Sequence, residues 1–280
     1  MDRAAPVTLT LDVQDASVFD VYDELLVPLC FQGYAHDLAA RLADLATGSV
    51  LVVACGTGVD TRVLAEALPP TVEITATDLV PGMLERARRH DTSRAVTWDE
   101  ADALHLPYDD ASFDVVVCQF GAMFFPDKVQ AYGEAARVLR PGGRFELAVW
   151  GDIERNEFGA TVAAAMVETF PDDPPVFLER MPFSYCHPEV ILADLAAAGL
   201  STPAGIEEVR HFACAASPEV VATAFCAGTP LRDQLQSGGR DRLPSAIAAA
   251  ARALAERFGH RDLTAANAAL VATATRVATP

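Results

Sequence analysis

From residue 34 to residue 150, apolar runs rich in β-branched residues alternate with stretches whose apolar positions recur at helical spacing. "YAHDLAARLADLA" sets Tyr34, Leu38, Leu42 and Leu45 on one helical face. The strand "SVLVVA" follows, then a helix through Val63, Leu64, Ala67 and Leu68. "VEITATD" reads as the next strand, and "PGMLERARRH" as a helix with Pro81 in its first turn. "AVTWDEAD" is a shorter strand and "FDVVVCQF" a clear one. "PDKVQAYGEAARVLRPGG" presents Val129, Tyr132, Ala136 and Leu139 on one helix face, and Pro141-Gly142-Gly143 closes that helix. "RFELAVW" returns as a fifth strand. Strands that alternate with helices in this way predict a parallel sheet covered on both faces.

After Trp150 the rhythm changes. Residues 151–186 are loop-rich and hold one Ala-rich helix near 157–169. His187-Pro188-Glu189 opens another helix, which Gly199 closes, and "IEEVRHFACA" is a strand. Ser217-Pro218-Glu219 caps a new helix. "SAIAAAARALAERFG" is a further helix with Ile247, Ala251, Leu254 and Phe258 on one face, and "NAALVATATRV" a final strand. No internal repeat and no low-complexity tract interrupts this order.

Composition narrows the partners. The 280 residues are 51% apolar, enough for a substantial core, and 21 basic against 39 acidic residues leave a net charge of −18. That balance argues against nucleic acid or an anionic membrane as partner. Six cysteines stand singly, without a C-x-x-C pair or any metal-ligand spacing, as small hydrophobes of a reducing compartment do. Neither a signal-peptide core nor an apolar run of membrane-spanning length is present, so a cytoplasmic protein is expected.

The chemistry starts at "LVVACGTGVDTR", where a strand breaks into Gly56-Thr57-Gly58 and a helix begins. Ligands of open parallel sheets bind at the carboxyl ends of the strands. A P-loop would need a Lys after its glycines, and none follows. A dinucleotide fingerprint would need a third glycine where Thr61 stands, which weakens that reading without removing it. A nucleoside without a pyrophosphate needs no third glycine. Asp78 ends the second strand, 20 residues beyond Gly58, where a carboxylate accepts ribose hydroxyls or caps the next helix. Asp102-Ala103, just past the third strand, offers a carboxylate to an adenine amino group and a backbone N–H to a ring nitrogen.

Together "VLVVACGTG", "TDLVPGML", "EADALHLPYDDASFDVVVCQFGAMFFPD" and "EAARVLRPGGRF" resemble class I S-adenosylmethionine-dependent methyltransferases. The likeness is to the small-molecule branch that includes the ubiquinone/menaquinone-biosynthesis enzymes (methyltransferase type 11), and it covers roughly residues 34–150. It implies an α/β, Rossmann-like seven-stranded sheet with its last strand antiparallel and an inserted helical cover. By position, Ala54, Gly56, Thr57 and Gly58 would hold the methionine end of the S-adenosylmethionine cofactor. Asp78 would take the ribose, Leu79 and Met83 the adenosine, and Asp102 and Ala103 the adenine. Cys118, Gln119 and Phe120 would line the floor beside the methyl group. Two positions depart from the pattern: Val52 replaces the usual acidic residue of the first strand, and Ala54 the usual first glycine. Asp60, just after the turn, either compensates or caps the helix.

The implied layout is an N-terminal helical segment (1–33) covering the cofactor site, the cofactor-binding core (34–150) and an insertion over the substrate (151–186). Residues 187–280, with inserted helices at 217–260, complete the same domain. Methyl transfer from a sulfonium is an in-line displacement that asks for alignment and dryness, and for a base only when the nucleophile must lose a proton. Tyr22, Tyr34 and His36 are candidates near the pocket, but none is assigned as catalytic. Gln119, Met123, Phe124 and Tyr185 complete a predicted acceptor pocket, whose apolar and aromatic character suits a hydrophobic or planar small molecule. No [DNS]-P-P-[YF] follows the fourth strand, where "CQFG" stands instead, and no Pro-Cys nucleophile occurs there. A small-molecule methyl acceptor is therefore expected, with natural-product or other secondary metabolism as its setting. Two other functions stay open: a cofactor-binding protein that transfers no methyl, and an NAD(P)-dependent oxidoreductase.

Overall fold

The computed structural model describes residues 5–11, 16–237 and 241–277. Along the chain come α1 (Val18–Val21), a π-helical segment (Tyr22–Phe31), α2 (Gln32–Arg41), β1 (Gly48–Val53), α3 (Val59–Ala67) and β2 (Val72–Asp78). Next are α4 (Pro81–Arg88), β3 (Thr97–Glu100), β4 (Phe113–Gln119), α5 (Lys128–Val138) and β5 (Leu139–Trp150). Then follow α6 (Glu157–Thr169), α7 (Phe177–Arg180), α8 (Pro188–Ala197), β6 (Leu200–Ser201) and β7 (Glu207–Ala215). The last are α9 (Pro218–Ala227), α10 (Leu231–Gln236), α11 (Leu243–Phe258) and β8 (Leu263–Arg276).

Seven strands follow one path, β3-β2-β1-β4-β5-β8-β6, and β7 pairs with β8 off it. β1 to β5 are parallel, while β8 runs antiparallel to both β5 and β6. The fold is therefore the expected Rossmann-like α/β sheet with an antiparallel strand near one end. Burial explains the pattern: Val50, Leu51, Val52 and Val53 are all buried, as a central strand covered on both faces requires. Sequence order reverses between β1 and β4, and that switch point lies at the strand ends that carry the glycine turn.

Two details differ from expectation. Pro141-Gly142-Gly143 does not close α5; the helix ends at Val138 and all three residues lie inside β5. Gly142 has φ +79°, and a Cβ on Gly143 would come within 2.9 Å of the Arg140 and Asp114 carbonyls, so the glycines serve a strand entry. The two-residue β6 is too short to leave a periodic signal.

The chain divides into two compact units. The core unit holds residues 34–151, 185–209 and those from 269 onward. The other holds the segment through residue 33, residues 152–184 and 210–268. In this second unit α6, α9 and α11 pack by small residues and rings. Phe158 meets Phe258 edge-on at 5.1 Å, and a Cβ on Gly159 would lie 3.2 Å from the Phe183 ring. Asn156 exchanges two 3.1 Å hydrogen bonds with the Ala268 backbone. Asn267 donates to the Leu29 carbonyl at 3.1 Å, serving a π-helical turn next to Pro28. Among the described residues, no helix is long and apolar enough to cross a membrane.

Candidate functional site

Everything below lies in the core unit unless stated. Beyond β1 the backbone turns through left-handed conformations at Ala54 (φ +53°), Gly56 (φ +55°) and Gly58 (φ +83°). Gly58 is required sterically as well, since a Cβ there would fall 2.8 Å from the Trp98 ring and 3.2 Å from Ala87. The Cys55 N–H donates to the Thr77 carbonyl at 2.9 Å, which moors the turn to β2.

Register fixes what lies beside the turn. Val53 pairs with Thr77, and Val52 with Val117, so Ala54 sits level with Asp78 on one side and Gln119 on the other. Asp78 Oδ2 accepts from the Gly56 N–H at 2.8 Å, and its Oδ1 from the Val80 N–H at 2.9 Å. Burial pushes this carboxyl above the usual range, opposed by N–H groups of Val80, Gly56 and Leu79. Val80, not Asp78, is the N-cap of α4, and the Asp78 carboxylate keeps acceptor capacity that a ribose hydroxyl could use.

The third strand end is tied in by the Ala101 N–H, which donates to the Asp78 carbonyl at 3.1 Å. Asp102 Oδ1 accepts from the Leu104 N–H at 2.9 Å, and its side chain remains 43% exposed beside His105. Ala103 is buried, Met83 half-buried, and Leu79, next to Asp78 in the chain, is an apolar side chain left 60% exposed.

At the fourth strand end, Cys118 and Gln119 are buried, and Phe120 takes φ +56°. Phe120 stacks on Trp150 with centroids 4.0 Å apart, and Tyr34 stands edge-on to both at 5.1 and 5.6 Å. The Tyr34 hydroxyl donates to the Val209 carbonyl at 3.3 Å. Gln119 Oε1 and the Thr57 and Thr61 hydroxyls are buried without a hydrogen-bond partner. Buried polar atoms rarely stay unpaired, so these three call for an added polar group or water.

Met123 (buried) and Phe124 (43% exposed) share one turn, Ala122–Phe124, directly after Gln119 and Phe120. His36 is exposed on α2, away from the buried face that carries Tyr34 and Leu38. The Tyr185 hydroxyl donates to Asp194 at 2.7 Å and lies 3.5 Å from that of Tyr132, with Lys128 Nζ 4.8 Å from its ring centroid. Tyr22 belongs to the second unit, where it packs on Phe31 with centroids 5.5 Å apart.

Residues 51–147 match the family described as "Methyltransferase domain". Residues 51–147 are thus similar to a methyltransferase domain. Over 144 residues the chain is 38% identical to the demethylmenaquinone methyltransferase of Deinococcus radiodurans, covering 51% of this chain and 59% of that one. Over 146 residues it is 36% identical to the Thermus thermophilus enzyme of the same name, covering 50% and 64%. The chain thus spans about three-fifths of the length of these two curated relatives. Two solved structures share the fold. The YcgJ protein of Bacillus subtilis has TM-score 0.56 at 17% identity, covering 88% of this chain and 100% of that one. The [4+2]-cyclase SpnF has TM-score 0.55 at 24% identity, covering 89% and 81%.

The residues present fit S-adenosylmethionine, the cofactor that the resemblance implies. Two carboxylates at neighbouring strand ends suit the ribose hydroxyls and the adenine amino group, with the uncovered Leu79 for the ring. The unpartnered Gln119 and Thr57 atoms suit a polar amino-acid end. Ala54, which departs from the family pattern, is explained by Gly121: a Cβ at residue 121 would lie 2.5 Å from the Ala54 methyl. The sequence reading did not single out Gly121 or Trp98, since what makes each matter is a contact with a residue distant in sequence.

Proposed function

We propose that this chain transfers the methyl group of S-adenosylmethionine to a small molecule with a hydrophobic or planar face. The observation that carries the reading is the Gly56–Asp78 link, which joins the glycine turn to a ribose-ready carboxylate, with Leu79 uncovered beside it. When bound, the cofactor supplies an electrophilic methyl on a sulfonium with a good leaving group. Asp78 would then accept the ribose hydroxyls, Asp102 the adenine amino group, and Ala54, Gly56, Thr57 and Gly58 would border the amino-acid end. Cys118, Gln119 and Phe120 would form the floor, and Phe120 is held rigid by its stack on Trp150. Met123 and Phe124 follow that floor directly and would offer the acceptor an apolar surface. Demethylmenaquinone, named in the relatives, is an acceptor of this chemical kind.

The test is turnover. Purified protein with S-adenosylmethionine and a panel of quinol and phenol acceptors should release S-adenosylhomocysteine together with an acceptor 14 mass units heavier, about one CH2 as any methyl transfer requires. Cofactor binding without methylated product from any acceptor or cell extract would favour a non-methylating role. That second reading is supported by Val52, which buries an apolar side chain where the family carries an acid.

A further inference from the structure

Asp60 is the second residue of α3 and is only 6% exposed. Among the described residues, no donor makes a hydrogen bond to its carboxylate. A carboxylate so largely buried and without a donor is stabilised by a cationic or hydrogen-bonding partner. Its surroundings are the strand ends of the glycine turn. Asp60 lies close enough to Cys55 in the turn and Cys118 on β4 for its charge to act on both thiols, which burial chiefly pushes up. Asp78 on β2 acts on the same two thiols. Among the described residues the cation acting on Asp60 is Arg62, two residues along the same helix, and Arg62 spends one N–H on the Thr57 carbonyl at 2.5 Å. The unpartnered Thr57, Thr61 and Gln119 atoms belong to the turn, to α3 itself and to the end of β4. Val52, meanwhile, leaves the turn without the acidic residue of β1.

We propose that Asp60 is the counter-charge for the α-ammonium of the bound cofactor, moved from the first strand onto the first turn of the following helix. This rests on the methyltransferase reading and deepens it. An ammonium beside Asp60 would supply the missing donor, and a charge-assisted hydrogen bond in a buried setting is among the stronger polar contacts a protein makes. Burial holds the free Asp60 carboxyl near 7, with Arg62 opposing, so an incoming cation would drive its proton off.

The test is calorimetry on the full chain, wild type and Asp60→Asn, with S-adenosylhomocysteine and with 5′-methylthioadenosine, which shares the adenosine but lacks the amino-acid end. Titrations at pH 7 in two buffers of different ionisation enthalpy report protons released. The expected result is a loss of roughly 10- to 100-fold for S-adenosylhomocysteine in Asp60→Asn, with 5′-methylthioadenosine affected less than about twofold. Wild type should release a fraction of a proton with the first ligand and none with the second. Equal losses for both ligands, no loss for either, or no buffer dependence in wild type would overturn the proposal while leaving the adenosine site intact. A folded wild type that binds neither ligand would overturn the methyltransferase reading itself. The proton count comes from wild type alone, so it stands even where the variant fails to fold.

Discussion

Ala54 takes a left-handed conformation that costs an alanine roughly 1–2 kcal/mol relative to glycine, and its methyl points at Gly121. The two positions are therefore one packing unit. Gly121→Ala should cost about 1–3 kcal/mol by overpacking, and adding Ala54→Gly should recover most of it. Urea unfolding of the two single variants and the double variant checks this. Strict additivity would show that the Cβ atoms do not meet. Asp60 carries a second prediction. Its carboxyl rises on folding from 3.8 to about 7 because burial disfavours the charge. A raised carboxyl contributes stability in full below the unfolded value and loses it as pH climbs through the folded one. Wild type should thus lose stability relative to Asp60→Asn between about pH 4 and about pH 7. Parallel melting curves across that window would contradict it. Neither the Ala54–Gly121 contact nor the burial of Asp60 is readable in sequence, where an acid in a first helical turn looks like an exposed partner of the helix dipole.

At the scale of elements, the strands of the core were readable because parallel strands are continuous apolar runs. "SVLVVA" and "FDVVVCQF" could be little else, and α6 occupies the Ala-rich stretch at 157–169 as expected. What escaped has physical causes. The π-helical turn carries Pro28 inside an apolar run from Leu25 to Phe31, so helical periodicity does not describe it. Tyr185, an expected acceptor residue, also joins α8 to α5 through Asp194 and Tyr132, a tie that sequence spacing does not show. Tyr185→Phe leaves the Asp194 carboxylate without that donor. It should lower stability by roughly 1–2 kcal/mol while leaving S-adenosylhomocysteine affinity unchanged. Chemical denaturation and calorimetry separate the two effects. A selective loss of acceptor affinity in a variant of wild-type stability would instead mean that Tyr185 serves the acceptor.

For the whole molecule, the central claim is that three adjacent strand ends form an adenosine site. The placement of its proposed residues was legible because Gly56-Thr57-Gly58, Asp78 and Asp102-Ala103 fall at strand ends that any parallel sheet brings together. The acceptor side was less legible, because a pocket is lined by residues from segments whose spacing in sequence carries no period. His36 shows the difficulty: it shares α2 with Tyr34, yet one is exposed and the other buried. The most direct measurement is a calorimetric titration of the purified chain with S-adenosylhomocysteine, with NAD and NADP in parallel. The structure predicts saturable one-to-one binding of S-adenosylhomocysteine and none of either dinucleotide. No binding of S-adenosylhomocysteine by a folded protein, or binding of a dinucleotide in its place, would contradict the site as described.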